Sequence, residues 1–178
     1  MFDPRPLRWL PVAILLSAPA AQAQSATTDY RDEFLDHFGR SSYKISALAE
    51  AMPEELYGWS PMEGVMSVQH VYMHLARYNF YYLESSLGIP APEGIDVENL
   101  EEVTGKDLVM SLFQRSVEHV KAAISEMTAE ELAAPTILYG RNVAGWAVLF
   151  QLLSHMNEHV GQSVAYARMN DVVPPWSM

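Results

Sequence analysis

Toward its C-terminal end the chain contains the sequence His155-Met156-Asn157-Glu158-His159, in which two histidines stand four residues apart. Residues i and i+4 lie on one face of an α-helix, so both imidazoles are expected to point in the same direction. The preceding stretch, residues 144–153, is strongly apolar, which predicts that this helix is buried. A buried imidazole needs a hydrogen bond or a metal ion in place of its contacts with water. The alternative is a helix end that is partly exposed.

A second pair of histidines, His70 and His74, has the same spacing. His74 falls within the apolar face of its predicted helix, whereas His70 lies at the edge of that face. We therefore expect His74 to point inward and His70 to support the site from its boundary. The remaining histidines, His37 and His119, have acidic neighbours and are expected to be solvated on helix surfaces.

His74, His155 and His159 together form a candidate metal site. Three neutral imidazoles from two helices could bind a divalent ion and leave at least one coordination position open. An open position favours reactivity, because purely structural zinc sites are usually closed by four protein ligands. Imidazoles suit several divalent metals, so the residue types alone do not select one.

The apolar pattern predicts an all-α fold, a bundle of four helices. Proline and glycine residues separate the predicted helices, which span residues 29–52, 67–87, 104–127 and 143–170. Thr128 and Glu131 form a capping-box pattern that predicts one more short turn of helix. Residues 135–141 are expected to form a loop, and no stretch alternates as strands do. The connection between the second and third helices is long enough to cross the bundle.

Two clusters of side chains have structural explanations. The aromatic residues of the second helix are expected to pack in the core, with a pocket wall beside the metal site as the alternative; they are Tyr78, Phe80, Tyr81 and Tyr82. The acidic residues between positions 93 and 102 predict a solvated connection, and they are Glu93, Asp96, Glu98, Glu101 and Glu102.

The N-terminal segment, residues 1–23, is predicted to be a secretory signal peptide. It has two basic residues, Arg5 and Arg8, then an apolar centre too short to span a bilayer, and it ends in Ala21-Gln22-Ala23. An uncleaved anchor is the alternative. Cleavage would leave one domain, residues 24–178, in the periplasm or outside the cell, without stable membrane association.

Composition excludes several classes of protein. The formal net charge is −11, which disfavours nucleic-acid binding because neutralising phosphates requires basic side chains. The chain has no cysteine, so it can form neither a disulfide nor a thiolate metal site. The expected partner is a small-molecule substrate that the sequence does not specify, and a homodimer is an open alternative.

Two separate stretches of the chain resemble the DinB-like family. The first is residues 52–68, MPEELYGWSPMEGVMSV, followed by His74-Leu75-Ala76. The second is residues 155–162, HMNEHVGQ, followed by Tyr166-Ala167-Arg168 and Val173-Pro174-Pro175. They occur in the family's order and at suitable spacing across the whole of residues 24–178.

The resemblance implies a four-helix bundle in an up-down-down-up arrangement. It also implies a divalent metal ion, zinc or nickel, on three histidines, which by motif position are His74, His155 and His159. Gln162 and Arg168 match the family and are expected to support the site. Val160 departs from it, because many members carry a basic residue there.

Two functions follow from this combination. The first is a metal-dependent enzyme, a hydrolase or a transferase, and some relatives transfer low-molecular-weight thiols. The second is a non-catalytic metal-binding protein of the periplasm, active in metal handling or the stress response. Glu158 lies between two of the candidate ligands, but its spacing from both predicts that it faces away from them.

Overall fold

A computed structural model describes residues 29–177 of the chain. The predicted signal peptide, residues 1–23, lies outside this part. Among the residues described, no helix combines the length and the apolar character needed to cross a membrane.

Four long helices form a bundle, as predicted. They are α1 (Tyr30–Ala51), α2 (Val68–Leu87), α3 (Lys106–Glu126) and α5 (Trp146–Met169). Between α3 and α5 lie a short helix and two strands: α4 (Ala129–Ala133), β1 (Pro135–Leu138) and β2 (Arg141–Ala144). Single turns of 3-10 helix occupy Glu54–Leu56, Leu100–Glu102 and Pro175–Ser177.

Local sequence sets the helix ends. The side chain of Ser67 accepts a hydrogen bond from the backbone N–H of His70 and so caps the start of α2. Gly88 ends α2 in the left-handed conformation, with φ of 69°, which glycine adopts without strain. Thr128 and Glu131 form the predicted capping box at the start of α4.

The long connection after α2 makes α2 and α3 parallel. Tyr72 packs against Phe113, and further along both helices Phe80 packs against His119. The chain must therefore return along the bundle between the two helices, and residues 88–105 make that crossover.

The other helix directions complete the arrangement. α1 and α3 are antiparallel, because Arg31 at the start of α1 bonds to the carbonyl of Met127 at the end of α3. At the opposite end, the Lys106 ammonium donates to the carbonyl of Met52. Gln151 near the start of α5 donates to Tyr82 late in α2, and Tyr166 near the end of α5 donates to the carbonyl of Met66 just before α2, so these two helices are antiparallel. The bundle is thus up-down-down-up, as the family resemblance implies.

The prediction of a loop at residues 135–141 was wrong, because β1 and β2 form a two-residue hairpin. Leu138 pairs with Arg141, and the turn between them is Tyr139-Gly140. Both turn residues have positive φ, 52° and 71°, as a type I′ turn requires. The hairpin also delays the start of the last helix to Trp146.

The hairpin is fastened to the C-terminal half of α2. The Ser86 hydroxyl donates to the carbonyl of Ile137, at 2.9 Å, and the Thr136 hydroxyl donates to the carbonyl of Ser86. Further along β1, the side chain of Leu138 is buried. Beyond β1, the Tyr139 hydroxyl of the turn is hydrogen-bonded to that of Tyr82, one helical turn before Ser86, so the hairpin tip points along α2 toward His74.

Candidate metal centre

His155 and His159 face each other on the buried side of α5. Their Nε2 atoms are 3.2 Å apart, and each residue is only 8% exposed. Two imidazole nitrogens bound to one tetrahedral zinc ion at about 2.0–2.1 Å would be about 3.3 Å apart. The observed separation therefore fits two ligands of one ion.

His74 completes a group of three. Its ring centroid lies 5.1 Å from that of His155 and 5.1 Å from that of His159. One nitrogen from each ring can be chosen so that all three atoms lie within 4.8 Å of one another. The structure thus brings together the three histidines selected from the sequence, in the seam between α2 and α5.

Hydrogen bonds at Nδ1 orient two of the rings. The Nδ1 of His74 lies 2.7 Å from the Oε1 of Glu101, and the Nδ1 of His159 lies 2.6 Å from the Oε1 of Gln162. Both oxygens are acceptors, so each Nδ1 carries the proton and each Nε2 presents a lone pair. Such bonds fix the tautomer and direction of a metal-binding imidazole.

Glu101 is the residue of this site that sequence analysis missed. It was expected in a solvated acidic stretch, but the crossover brings it onto α2, where it is half-buried. His70 is not part of the histidine group. Its Nε2 lies 3.9 Å from the Oε2 of Glu101, at the edge of the site, where the sequence placed it.

Gln162 supports the site, as expected from the sequence, and Arg168 does not. The Gln162 amide donates to the Tyr166 hydroxyl, which donates to the carbonyl of Met66. This chain of bonds ties His159 to the loop before α2. Arg168 lies nine residues after His159, on the opposite side of α5, and is exposed.

Burial keeps the two α5 histidines neutral. Loss of hydration, together with the neighbouring His159 and His74, lowers the pKa of His155 to about 3. Burial also lowers the pKa of His159, against the opposing effect of its bond to Gln162. A metal ion binds imidazole in its neutral form, so at neutral pH these rings need not lose a proton first.

Comparison with known proteins agrees with this architecture. A model of the DinB superfamily matches residues 37–165. The chain belongs to the DinB superfamily. It is similar to YjoA of Bacillus subtilis, with 26% identity over 141 residues that cover 77% of the chain and 88% of YjoA.

Solved structures similar to this DinB-superfamily chain share its fold. One is a DinB-like protein of Bacillus cereus, with a TM-score of 0.71 and 18% identity over 83% of the chain and 98% of that protein. Another is YfiT of Bacillus subtilis, described as a probable metal-dependent hydrolase with an unusual four-helix bundle topology. Its TM-score is 0.64, with 15% identity over 84% of the chain and 93% of YfiT.

The other histidines of this DinB-superfamily protein divide into one exposed and one half-buried. His37 is exposed beside Glu33, as predicted. The prediction for His119 was wrong, because its ring packs on Phe80 and its Nε2 is buried without a hydrogen-bond partner. Burial lowers the pKa of His119. Its acidic neighbour Glu118 lies on the exposed side of the helix, so adjacency in sequence was misleading.

No carboxylate of the described part is aimed at the Nε2 side of the histidines. Glu158 is exposed and accepts a hydrogen bond from Ser154, so it faces away from the site, as predicted. Glu101 binds the Nδ1 side of His74, on the far side of the ring from Nε2. A metal ion held by these three histidines would have an open position and, among the residues described, no neighbouring carboxylate base.

Proposed function

We propose that this protein binds one divalent metal ion, zinc or nickel, through His74, His155 and His159, and acts as a metal-dependent hydrolase or transferase. The observation that carries the proposal is the convergence of three imidazoles, two of them buried and neutral, with two oriented from behind by Glu101 and Gln162. The description of YfiT as a probable metal-dependent hydrolase supports the same class.

The chain's own residues would bind and orient, and the ion would supply Lewis acidity for a water or a thiol. Glu101 and Gln162 hold the Nε2 atoms of His74 and His159 in one direction. The absence of a carboxylate base beside Nε2, among the residues described, favours a nucleophile that the ion alone can activate at neutral pH. Water, with its pKa lowered to about 7 in such sites, and thiols meet that condition.

Metal analysis tests the ligands directly. Purified protein should carry close to one divalent ion per chain, and His155→Ala should remove it, because one of three ligands is lost. His70→Ala is the matched control and should keep the ion, since His70 lies outside the histidine group. If His155→Ala kept its full metal content, the proposed site would be refuted. If His70→Ala lost the ion, His70 and not His74 would be the ligand from α2.

Catalysis needs a separate experiment. The loaded protein should hydrolyse aryl esters, or transfer a low-molecular-weight thiol to an electrophile, at a rate that His155→Ala abolishes. If the loaded protein and His155→Ala are equally inactive on both panels, the second candidate is favoured: a non-catalytic protein of metal handling or stress response. The lack of a carboxylate base in the described part of the site is the observation that keeps this candidate open.

We also propose that the chain is exported to the periplasm or the medium. Arg5 and Arg8, the apolar stretch after them and Ala21-Gln22-Ala23 support this. Intact-mass analysis of the full-length product should find a chain that begins at Gln24. An unprocessed chain that stays in the membrane fraction would instead support an uncleaved anchor.

A further inference from the structure

A continuous row of tyrosine rings leads from the histidines to the tip of the hairpin. The row consists of Tyr78, Tyr81, Tyr82 and Tyr139. Tyr78 lies 4.6 Å from the ring of His74 and 5.2 Å from that of His155. Tyr78, Tyr81 and Tyr82 lie 5.4–5.7 Å from one another, and Tyr139 lies 6.0 Å from Tyr82. These are the distances of ordinary aromatic contacts.

The row divides into one buried ring and three accessible ones. Tyr82 is buried, so it meets the expectation of core packing, as does Phe80 on the same helix. Tyr78 is half-buried, and Tyr81 and Tyr139 are 44% and 61% exposed. Tyr78 packs against the edge of the core, whereas Tyr81 and Tyr139 lie outside it, and all three stand beside the site and in line with it.

The accessible side of the histidines and the accessible tyrosines share one face of α2. His74, Tyr78 and Tyr81 are spaced i, i+4 and i+7, which places them on one stripe of the helix. His74 is part-exposed, whereas His155 and His159 are buried, so a ligand approaches the site along this stripe. The helical rise puts Tyr81 roughly 10 Å from His74.

The strained backbone conformation of Tyr139 indicates that its ring has a functional role. Its φ of 52° is unfavourable for a bulky side chain, and type I′ turns prefer Asn followed by Gly at these positions. Here Tyr precedes Gly140 instead. Strain of this kind is concentrated at functional sites.

A bond network holds the far end of the row in place. The Tyr139 hydroxyl is hydrogen-bonded to that of Tyr82, which also accepts a bond from the Gln151 amide at 3.3 Å. Burial raises the pKa of Tyr82 above its ordinary value, so this hydroxyl stays protonated. The position of Tyr139 is therefore coupled to α2 and α5 and not to the hairpin alone.

A cavity of about 180 Å³ lies between α2 and the hairpin at this end. It is lined by Tyr81, Tyr82, Ser85 and Ser86 of α2 and by residues 137–140 of the hairpin. A cavity of about 150 Å³ accommodates a benzene ring. The volume of this cavity and the tyrosine rings in its wall both suit one aromatic group.

We propose that the tyrosine row and this cavity bind an aromatic group of the substrate, while the other end of the same molecule reaches the metal site. The substrate class is then an extended aryl compound whose reactive group, an ester, amide or thiol, lies about 10 Å from its outermost ring. Tyr78 contacts the part next to the metal, and Tyr139 contacts the far end. This inference rests on the proposed metal-dependent function.

The test uses the full chain loaded with Co²⁺ and three hydroxamates that share one metal-binding group. Acetohydroxamate has no ring, benzohydroxamate has one, and 4-phenylbenzohydroxamate has two in line. Their dissociation constants are read from the visible absorption of the bound cobalt. Each added ring should tighten binding by about tenfold, because each makes a new aromatic contact.

Two variants separate the two contacts. Tyr78→Leu should remove the gain from the first ring. Tyr139→Asn should remove only the gain from the second ring, and because Asn-Gly is the preferred type I′ pair, the hairpin should stay folded. Tyr43→Asn is the control, since Tyr43 is an exposed tyrosine of α1, and it should change neither gain.

The outcomes distinguish this inference from the proposed function. A protein that shows no absorption of bound cobalt overturns both. Cobalt binding with equal affinity for all three hydroxamates overturns the aromatic subsite and leaves the metal site standing. A preference for rings that survives both substitutions also overturns it, because the rings would then bind elsewhere.

Discussion

At the scale of single residues, the contact between Glu101 and His74 does most to define the site. The carboxylate accepts a hydrogen bond from the Nδ1–H of His74 at 2.7 Å and so directs its Nε2 toward the other two histidines. The Oε1 atom of Glu101 lies 3.9 Å from the Nη1 atom of Arg77, and its Oε2 atom lies 3.9 Å from the Nε2 atom of His70. Arg77 and His70 hold the carboxylate from the outer side. A ring that has lost this acceptor can rotate or change tautomer.

We therefore expect Glu101→Ala to weaken metal binding by about 10- to 100-fold, the usual effect of removing a carboxylate that orients a metal-binding imidazole. Competition against a chromogenic chelator measures the affinity. The control is Glu102→Ala, the exposed neighbour, which should leave affinity unchanged. Equal affinities in wild type and Glu101→Ala would mean that packing alone orients His74.

A second prediction at this scale concerns pH. Burial lowers the pKa of His155 to about 3 from 6.5, and that of His159 also falls. Below pH 6.5 the unfolded chain binds protons at these residues that the folded chain does not, so acid favours unfolding. The free energy of unfolding of metal-free protein, measured in urea, should thus fall from about pH 7 to about pH 5.

His155→Gln removes one of these groups and should make that decline shallower. Met62→Gln, which alters an exposed residue that carries no titrating group, should leave the slope as it is in wild type. An unchanged slope in His155→Gln would show that His155 takes up a proton in the folded state as readily as in the unfolded state.

Sequence indicated the three histidines but not the residues that orient His74. The i, i+4 spacing and the apolar faces of two helices made His74, His155 and His159 candidates, and the resemblance to the DinB-like family selected the same three. Glu101 is one of several carboxylates in an acidic stretch, and only the path of the crossover decides which of them reaches α2. His119 was misjudged because its ring packs on Phe80 of α2, a tertiary contact that the acidic neighbour in the sequence does not reveal.

At the scale of elements, α4 lies so close to the start of α5 that position 145 has no room for a side chain. A β-carbon there would lie 3.2 Å from the carbonyl oxygens of both Glu131 and Leu132, which are backbone atoms and cannot rotate away. A second glycine, Gly161, lies within α5 and is exposed. A β-carbon at that position would meet no other atom within 4 Å.

Gly145→Ala should therefore destabilise the protein by about 1–3 kcal/mol, because α4 must shift. Gly161→Ala should stabilise it by about 0.5–1 kcal/mol, because glycine within a helix is less favourable than alanine. Denaturant unfolding of both variants gives the two values. Similar changes in both would mean that α4 packs loosely on α5.

The four long helices were predictable to within about two residues, except for the start of α5, because their apolar spacing and caps are local features. The hairpin was not, since strands of four residues are too short for alternation to be visible. Its turn is Tyr-Gly instead of the usual Asn-Gly. Hydrogen bonds to Ser86 also fasten the strands to α2, and local sequence does not reveal such tertiary contacts.

At the scale of the whole molecule, the candidate ligands join α2 to α5, two helices that are distant in sequence and adjacent in the bundle. An ion that binds only the folded chain stabilises it by mass action, by about 2.7 kcal/mol at a concentration 100 times the dissociation constant. For a domain of this size, the melting temperature should rise by about 5–10 °C.

Thermal unfolding with zinc and with excess chelator measures this difference. His155→Ala should melt at one temperature under both conditions, because it has lost the ion. If the melting temperature of wild type is also the same with zinc and with chelator, the histidines hold no ion that contributes to folding.

The up-down-down-up order also has a consequence for the time at which an ion can enter. His74 comes early in the chain, Glu101 follows on the crossover, and His155 and His159 wait for the last helix of the bundle. The complete site exists only once α5 has docked on α2, so metal capture follows that step of folding. In an exported chain, the choice of metal would then be made by the ions present where folding ends, and not by those present where the chain is synthesised.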